Sequence, residues 1–126
     1  MVKVERQKPS AKQKKITYRP YKLKKKMTVN SWEFDTTIIS SHFEEEHGSY
    51  MRDELILKIV QQLDKKKGFT PKLQGKLPDG TEWQSFFWEP FCQDKKAYRL
   101  VWYWEVGIPR LWILNCHRRS KYDKKC

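Results

Sequence analysis

Glycine is scarce, with five in 126 residues, and none is arranged as a phosphate-cradling Gly-rich loop, so nucleotide binding by that device is excluded. The Gly-x-Ser-x-Gly turn that presents a serine nucleophile is also missing. Cysteine is limited to Cys92, Cys116 and Cys126, with no Cys-x-x-Cys spacing, and His42 and His47 lie five apart, a poor interval for sharing a metal from one helix face. No metal and no cofactor are expected. An odd cysteine count without a signal peptide predicts a reducing, cytoplasmic setting, with Cys116 a buried strand residue. There is no apolar run of about eighteen residues, hence no predicted membrane span. The N-terminus lacks the apolar core of a secretory signal, and no internal repeat is visible.

Positive charge and aromatic rings are abundant. The formal charge of +12 favours an anionic partner. An aromatic share of 14% with six Trp supplies enough buried area for one domain with a single core. The charge is uneven: residues 1–26 hold eleven Lys or Arg against Glu5 alone, so the rest of the chain is nearly balanced. With few aliphatic residues, no periodicity, and Pro9 and Pro20 as helix breakers, residues 1–26 read as a basic, flexible N-terminal arm preceding a domain over 27–126. The arm has three readings: an RNA- or ribosome-binding tail, a solvated charge run, or sequence upstream of a start at Met27.

Along the domain, Ser31 to Ile39 predicts a first strand with Trp32 and Phe34 on one face. Ser41 to His47 predicts a short helical turn. A longer helix from near Ser49 carries Met51, Leu55, Ile56, Ile59, Val60 and Leu63 at a 3.6-residue period and stops at Gly68. A turn-rich connection follows from Phe69 to Gly80. Thr81 to Trp88 predicts a strand, Glu89 to Lys96 a polar loop, and two β-rich runs around Gly107-Ile108-Pro109 a hairpin. The expected fold is α+β, a small antiparallel sheet in the order β-α-α-β-β-β with helices packed on one face.

Strand parity puts Leu100, Trp102 and Trp104 on one face of the hairpin and Arg99, Val101 and Tyr103 on the other. Arg99 then sits at the rim of a half-buried face, either as a phosphate ligand or simply paired with Glu82 or Glu89. The second strand of the hairpin runs into His117-Arg118-Arg119-Ser120-Lys121-Tyr122, a cluster that fits a phosphate-rich ligand. The order Leu73-Gln74-Gly75-Lys76-Leu77-Pro78, then Tyr98-Arg99-Leu100-Val101, then His117-Arg118-Arg119 and Tyr122 resembles the RelE/ParE superfamily of bacterial toxin-antitoxin proteins, over roughly residues 30–125. The resemblance implies the toxin component of a type II system. In the ribonuclease branch, this is a metal-independent, ribosome-dependent endoribonuclease (mRNA interferase) that cleaves mRNA and arrests translation. Its implied partners are a cognate antitoxin, the ribosome and mRNA, with no membrane.

RNA is cleaved without a metal when a base activates the 2′-hydroxyl, a cation stabilises the phosphorane and an acid protonates the leaving oxygen. The resemblance assigns Arg99 to the scissile phosphate, Arg118 to the basic position ending the last strand, and Tyr122 to orienting or stacking on the substrate base. His117 suits either proton-transfer task. Arg119, Lys121, Lys95, Lys96 and Lys76 complete the expected RNA-binding set. Ribonuclease relatives often carry lysines or a glutamate on the strand before the hairpin, whereas this strand, Glu82 to Trp88, has no lysine. Glu82 and Glu89 are therefore the expected bases, beside His117 or the loop lysines. The alternative is a non-catalytic member, a gyrase-inhibitor type or an RNA- or protein-binding module.

Overall fold

The computed structural model describes residues 17–40 and 51–126. These form strands β1 (Tyr18–Val29) and β2 (Trp32–Ser40), helix α1 (Asp53–Gln61), strands β3 (Leu73–Lys76), β4 (Glu82–Gln93), β5 (Lys96–Glu105) and β6 (Arg110–Arg118), and a 3-10 helix over Ser120–Lys125. All six strands join one sheet in the order β1-β2-β6-β5-β4-β3. Neighbours are antiparallel except β2 and β6, which run parallel from Thr36 opposite Arg110 to Ile39 opposite Ile113.

This corrects the α+β expectation. The described residues are dominated by a mixed six-stranded sheet with one α-helix and one 3-10 helix, rather than a small antiparallel sheet covered by helices. Three stretches account for the difference. The boundary expected after Lys26 falls inside β1, where Arg19, Tyr21 and Leu23 are half-buried and alternate with exposed Tyr18, Pro20, Lys22 and Lys24. This is the period of a strand carrying its charges on the solvent side. The connection after Phe69 contains β3, paired with β4 from Leu73 opposite Ser85 to Lys76 opposite Glu82. Finally, β4 continues through Glu89 to Gln93, because the register shift between Trp88 and Phe91 accommodates Pro90 as a bulge. The helix expected from near Ser49 to Gly68 is shorter, running from Asp53 to Gln61 with Arg52 extended before it; the helical turn expected over 41–47 and residues 1–16 of the arm lie outside the described residues.

Two hairpins close through left-handed residue pairs, Asn30-Ser31 (φ 52° and 71°) and Asp94-Lys95 (φ 53° and 65°). This two-residue geometry matches the twist of the flanking strands. The core lies on the α1 side of the sheet. There Phe86 stacks on Trp102 at 5.4 Å, Phe86 and Phe34 contact Trp104 at 4.5 and 5.0 Å, and α1 presses Ile56, Ile59 and Val60 onto the strands. Burying each such side chain is worth about 1.5–3 kcal/mol.

The ends of α1 are tied to the first hairpin. At its start, Arg19 grips Asp53 with two hydrogen bonds of 2.7 and 2.8 Å, and the Tyr21 hydroxyl donates to the same carboxylate. Beyond its C-terminus, Lys65 donates from its backbone to the Thr28 carbonyl. The Asn30 side chain donates to the Phe69 carbonyl at 2.8 Å and accepts from the Phe69 N–H at 3.0 Å.

No described helix is long and apolar enough to cross a membrane. Cys92 and Cys126 are joined by a disulfide, and Cys116 is buried and free. The odd cysteine count thus reflects one bridge and one core thiol, which removes it as a ground for a reducing compartment.

Candidate nucleic-acid interface

Arg99 and His117 are direct partners across the β5–β6 ladder. Both point away from the core, because Leu100, Trp102 and Trp104 take the alternate, buried positions of β5. Directly opposed strand residues have Cβ atoms about 4.5–5.5 Å apart, so the guanidinium and the imidazole share one patch. His117 lies with Nδ1 3.4 Å from the Asn115 side-chain oxygen.

Arg99 pairs with neither of the carboxylates offered by the sequence. Its guanidinium lies over the Phe87 ring, 4.4 Å from the centroid, and its buried Nε has no hydrogen-bond partner. Lys72 approaches the same ring at 5.1 Å. A guanidinium held on an aromatic face keeps its charge and its remaining donors for a ligand.

Beside this pair runs a groove of about 570 Å³ between the segment before β3 and strand β4, lined by Phe69, Lys72, Phe87, Trp88, Glu89 and Tyr122 among others. Trp88 is 51% exposed, and its ring meets Phe69 edge-on at 6.0 Å. Three cations surround the Tyr122 ring: Arg119 at 5.7 Å, Lys121 at 5.2 Å and Lys125 at 5.3 Å. Aromatic faces flanked by cations suit unstacked bases on a phosphate backbone.

The other expected site residues fall in different places. Arg118 occupies the opposite parity to His117, facing Tyr98 across the ladder. There it makes a two-pronged hydrogen bond to Asp123 at 2.9 and 2.8 Å, holding the 3-10 helix to β6. Asp123 also accepts the Ala97 N–H at 2.8 Å, and the Arg118 bond is the main cause that holds its carboxyl below the ordinary aspartate range. Arg119 reaches Glu89, Nε to Oε1 2.8 Å, as an ion pair whose angle makes no hydrogen bond. That contact engages the Glu89 carboxylate with a guanidinium.

Glu82 and Lys76 pair with each other at the far end of β4. Seven residues of strand, about 23 Å at roughly 3.3 Å per residue, separate Glu82 from Glu89, and it is Glu89 that falls in the β4 bulge opposite Arg99. Lys95 and Lys96 sit at the β4–β5 turn, and Lys121 is exposed on the 3-10 helix.

Phe87, Trp88, Phe69 and Lys72 went unread as site residues. The signal for two of them was available, since Phe87 and Trp88 are adjacent aromatics that alternation cannot bury together on one face. Tyr103 stands farther along the Arg99 face, where burial and the hydrogen bond it donates to Glu105 push its phenol up to about 12. Among the described residues no group of His, Cys, Asp or Glu is placed to hold a metal ion. Comparison of this chain with protein-family models, with curated proteins and with solved structures finds no match.

Proposed function

We propose that the chain is an RNA-directed toxin of the type II toxin-antitoxin class, a metal-independent endoribonuclease acting on mRNA through the face shared by β4, β5 and β6. The RelE/ParE resemblance of Tyr98 to Val101 and of His117 to Tyr122 supplies the reaction class. The observation that carries the proposal is the direct opposition of Arg99 and His117 beside an aromatic groove.

In this reading a base stacks on Tyr122 or Trp88 and brings its phosphate to Arg99. Neutral His117 takes the proton of the 2′-hydroxyl. The resulting oxyanion attacks phosphorus, the 2′,3′-cyclic phosphate forms, and the departing 5′-oxygen takes a proton from water. Arg99 stabilises the charge gathering on the phosphorane, a donor role whose removal costs on the order of 10²–10³ in rate. Arg118 holds the 3-10 helix and, with it, Tyr122.

A second reading, an RNA-binding module without turnover, is favoured by the engagement of Glu89 with Arg119, which occupies the carboxylate that stands opposite Arg99 in the β4–β5 ladder. Cleavage of translated mRNA by the purified full chain decides between them. The ribonuclease reading expects Arg99→Ala and His117→Gln to lower the cleavage rate at least a hundredfold while RNA affinity changes less than tenfold. A parent chain that binds single-stranded RNA with a steep salt dependence and leaves it intact supports the module. Neither binding nor cleavage would dismiss both.

A further inference from the structure

A second cavity, also of about 570 Å³, opens on the α1 side of the sheet between β1, β2 and the helix. It shares no lining residue with the groove beside Tyr122. Its origin lies in the β1–β2 register. Five steps along β1, from Lys22 to Met27, face only two along β2, from Thr36 to Phe34. The surplus backbone arches off its partner and leaves space beneath.

The walls and the mouth of this cavity differ chemically. Leu23, Met27, Leu57 and Val60 make the walls aliphatic, and Lys22, Lys24 and Lys25 of the arched segment stand exposed around the mouth. The acid in the lining, Asp64, is engaged by the Thr28 N–H at 2.9 Å. Thr37 also lines the cavity. It is wholly buried, and its Oγ1 has no hydrogen-bond partner. Native interiors seldom leave a buried hydroxyl unmatched, because its lost hydration goes uncompensated.

We propose that this cavity binds a small aliphatic monoanion bearing one hydrogen-bonding group at its far end, such as a hydroxy fatty acid. Its carboxylate rests among Lys22, Lys24 and Lys25, its methylenes lie against Leu23, Met27, Leu57 and Val60, and its terminal polar group partners Thr37 Oγ1. Thr37 is the ladder partner of Tyr21. At about 3.3 Å per residue, Lys24 and Lys25 lie at most about 10–13 Å along β1 from that rung, the reach of an alkyl chain of about eight to ten carbons. A volume of this size falls within the ordinary range for small-molecule sites. The site is independent of the RNA reading, since the two surfaces have no lining residue in common.

The test is NMR titration of the full chain with three probes below their aggregation limits: ω-hydroxydecanoate, decanoate and the corresponding ten-carbon diol. The hydroxy acid should bind saturably, one per chain, shifting the amides of Leu23, Leu57 and Val60. Decanoate should bind several-fold more weakly and the diol at least tenfold more weakly. Lys24→Glu with Lys25→Glu should erase the preference for the acid over the diol. Thr37→Val, which keeps the shape and removes the orphan hydroxyl, should erase the preference for the hydroxy acid over decanoate. Leu57→Trp, at a half-exposed position, should block all three probes while leaving RNA binding unchanged. The proposal is overturned by an absence of saturable shifts, by equal affinity for acid and diol, or by a hydroxyl preference that survives Thr37→Val.

Discussion

At the scale of single residues, what each charge does is set by its nearest partner. Arg99, Arg118 and Arg119 lie within one sheet corner, yet one rests on an aromatic ring, one is bound by Asp123 and one faces Glu89. Asp53 makes this measurable. The Arg19 hydrogen bond is the leading cause that holds its carboxyl below the ordinary aspartate value, with the Tyr21 hydroxyl adding to it. A depressed folded pKa contributes stability that is present above the ordinary value near 4 and is lost as pH falls through the folded one. Asp53→Asn should therefore cost about 1–2 kcal/mol at pH ~7, in line with a partly exposed charged pair. That difference from the parent should shrink in urea titrations taken progressively below pH ~4. A difference that stays constant into acid would mean that the carboxylate charge contributes nothing.

At the scale of elements, the C-terminal 3-10 helix is fastened along its second half, by Arg118 to Asp123 and, just past its last residue, by the Cys92–Cys126 disulfide to β4. The bridge spans a sequence separation of 34 residues, and chain-entropy arguments assign such a loop about 4 kcal/mol, with measured values often less. Cys92→Ser with Cys126→Ser should lower unfolding stability by about 2–4 kcal/mol, read as a reduced urea midpoint. Cys116 should stay inert to alkylation in either background, because burial pushes its thiol up to about 12.

The hairpin of β5 and β6 was legible in the sequence because large apolar residues alternate strictly with Arg99, Val101 and Tyr103, and the apolar stripe of α1 was legible by its period. Strand β1 was not, since its outward lysines hide the alternation of Arg19, Tyr21 and Leu23. The same lysines with Pro20 suit an edge strand, where they discourage pairing with a second sheet. The extension of β4 past Pro90 and the Cys92–Cys126 pairing depend on tertiary register, which local sequence does not encode. In the candidate site, the opposition of Arg99 to His117 follows from hairpin register. The capture of Arg118 by Asp123 depends on a helix that turns back, so sequence order alone placed Arg118 beside the wrong neighbours.

At the scale of the whole molecule, the sheet consists of two pieces that are each local in sequence, the β1–β2 hairpin and the β3–β6 meander. They meet laterally at four parallel rungs between β2 and β6. Closing that seam from an open chain brings together residues more than seventy positions apart, an entropic cost of about 4 kcal/mol by the logarithmic loop law. The consequence is kinetic. The hairpin and the meander can form early and independently, while the productive encounter must bring β2 beside β6 before β2 pairs with any other exposed edge. Refolding should then be paced by the seam. Ile39→Val or Ile113→Val should slow refolding in stopped-flow experiments more than they hasten unfolding, whereas a conservative change in the meander, such as Val101→Ala, should act mainly on the unfolding limb. Equal partition at all three sites would place the barrier elsewhere. A chain held up at this step presents an open β2 edge beside the basic β1, and that edge is where premature association between copies would begin.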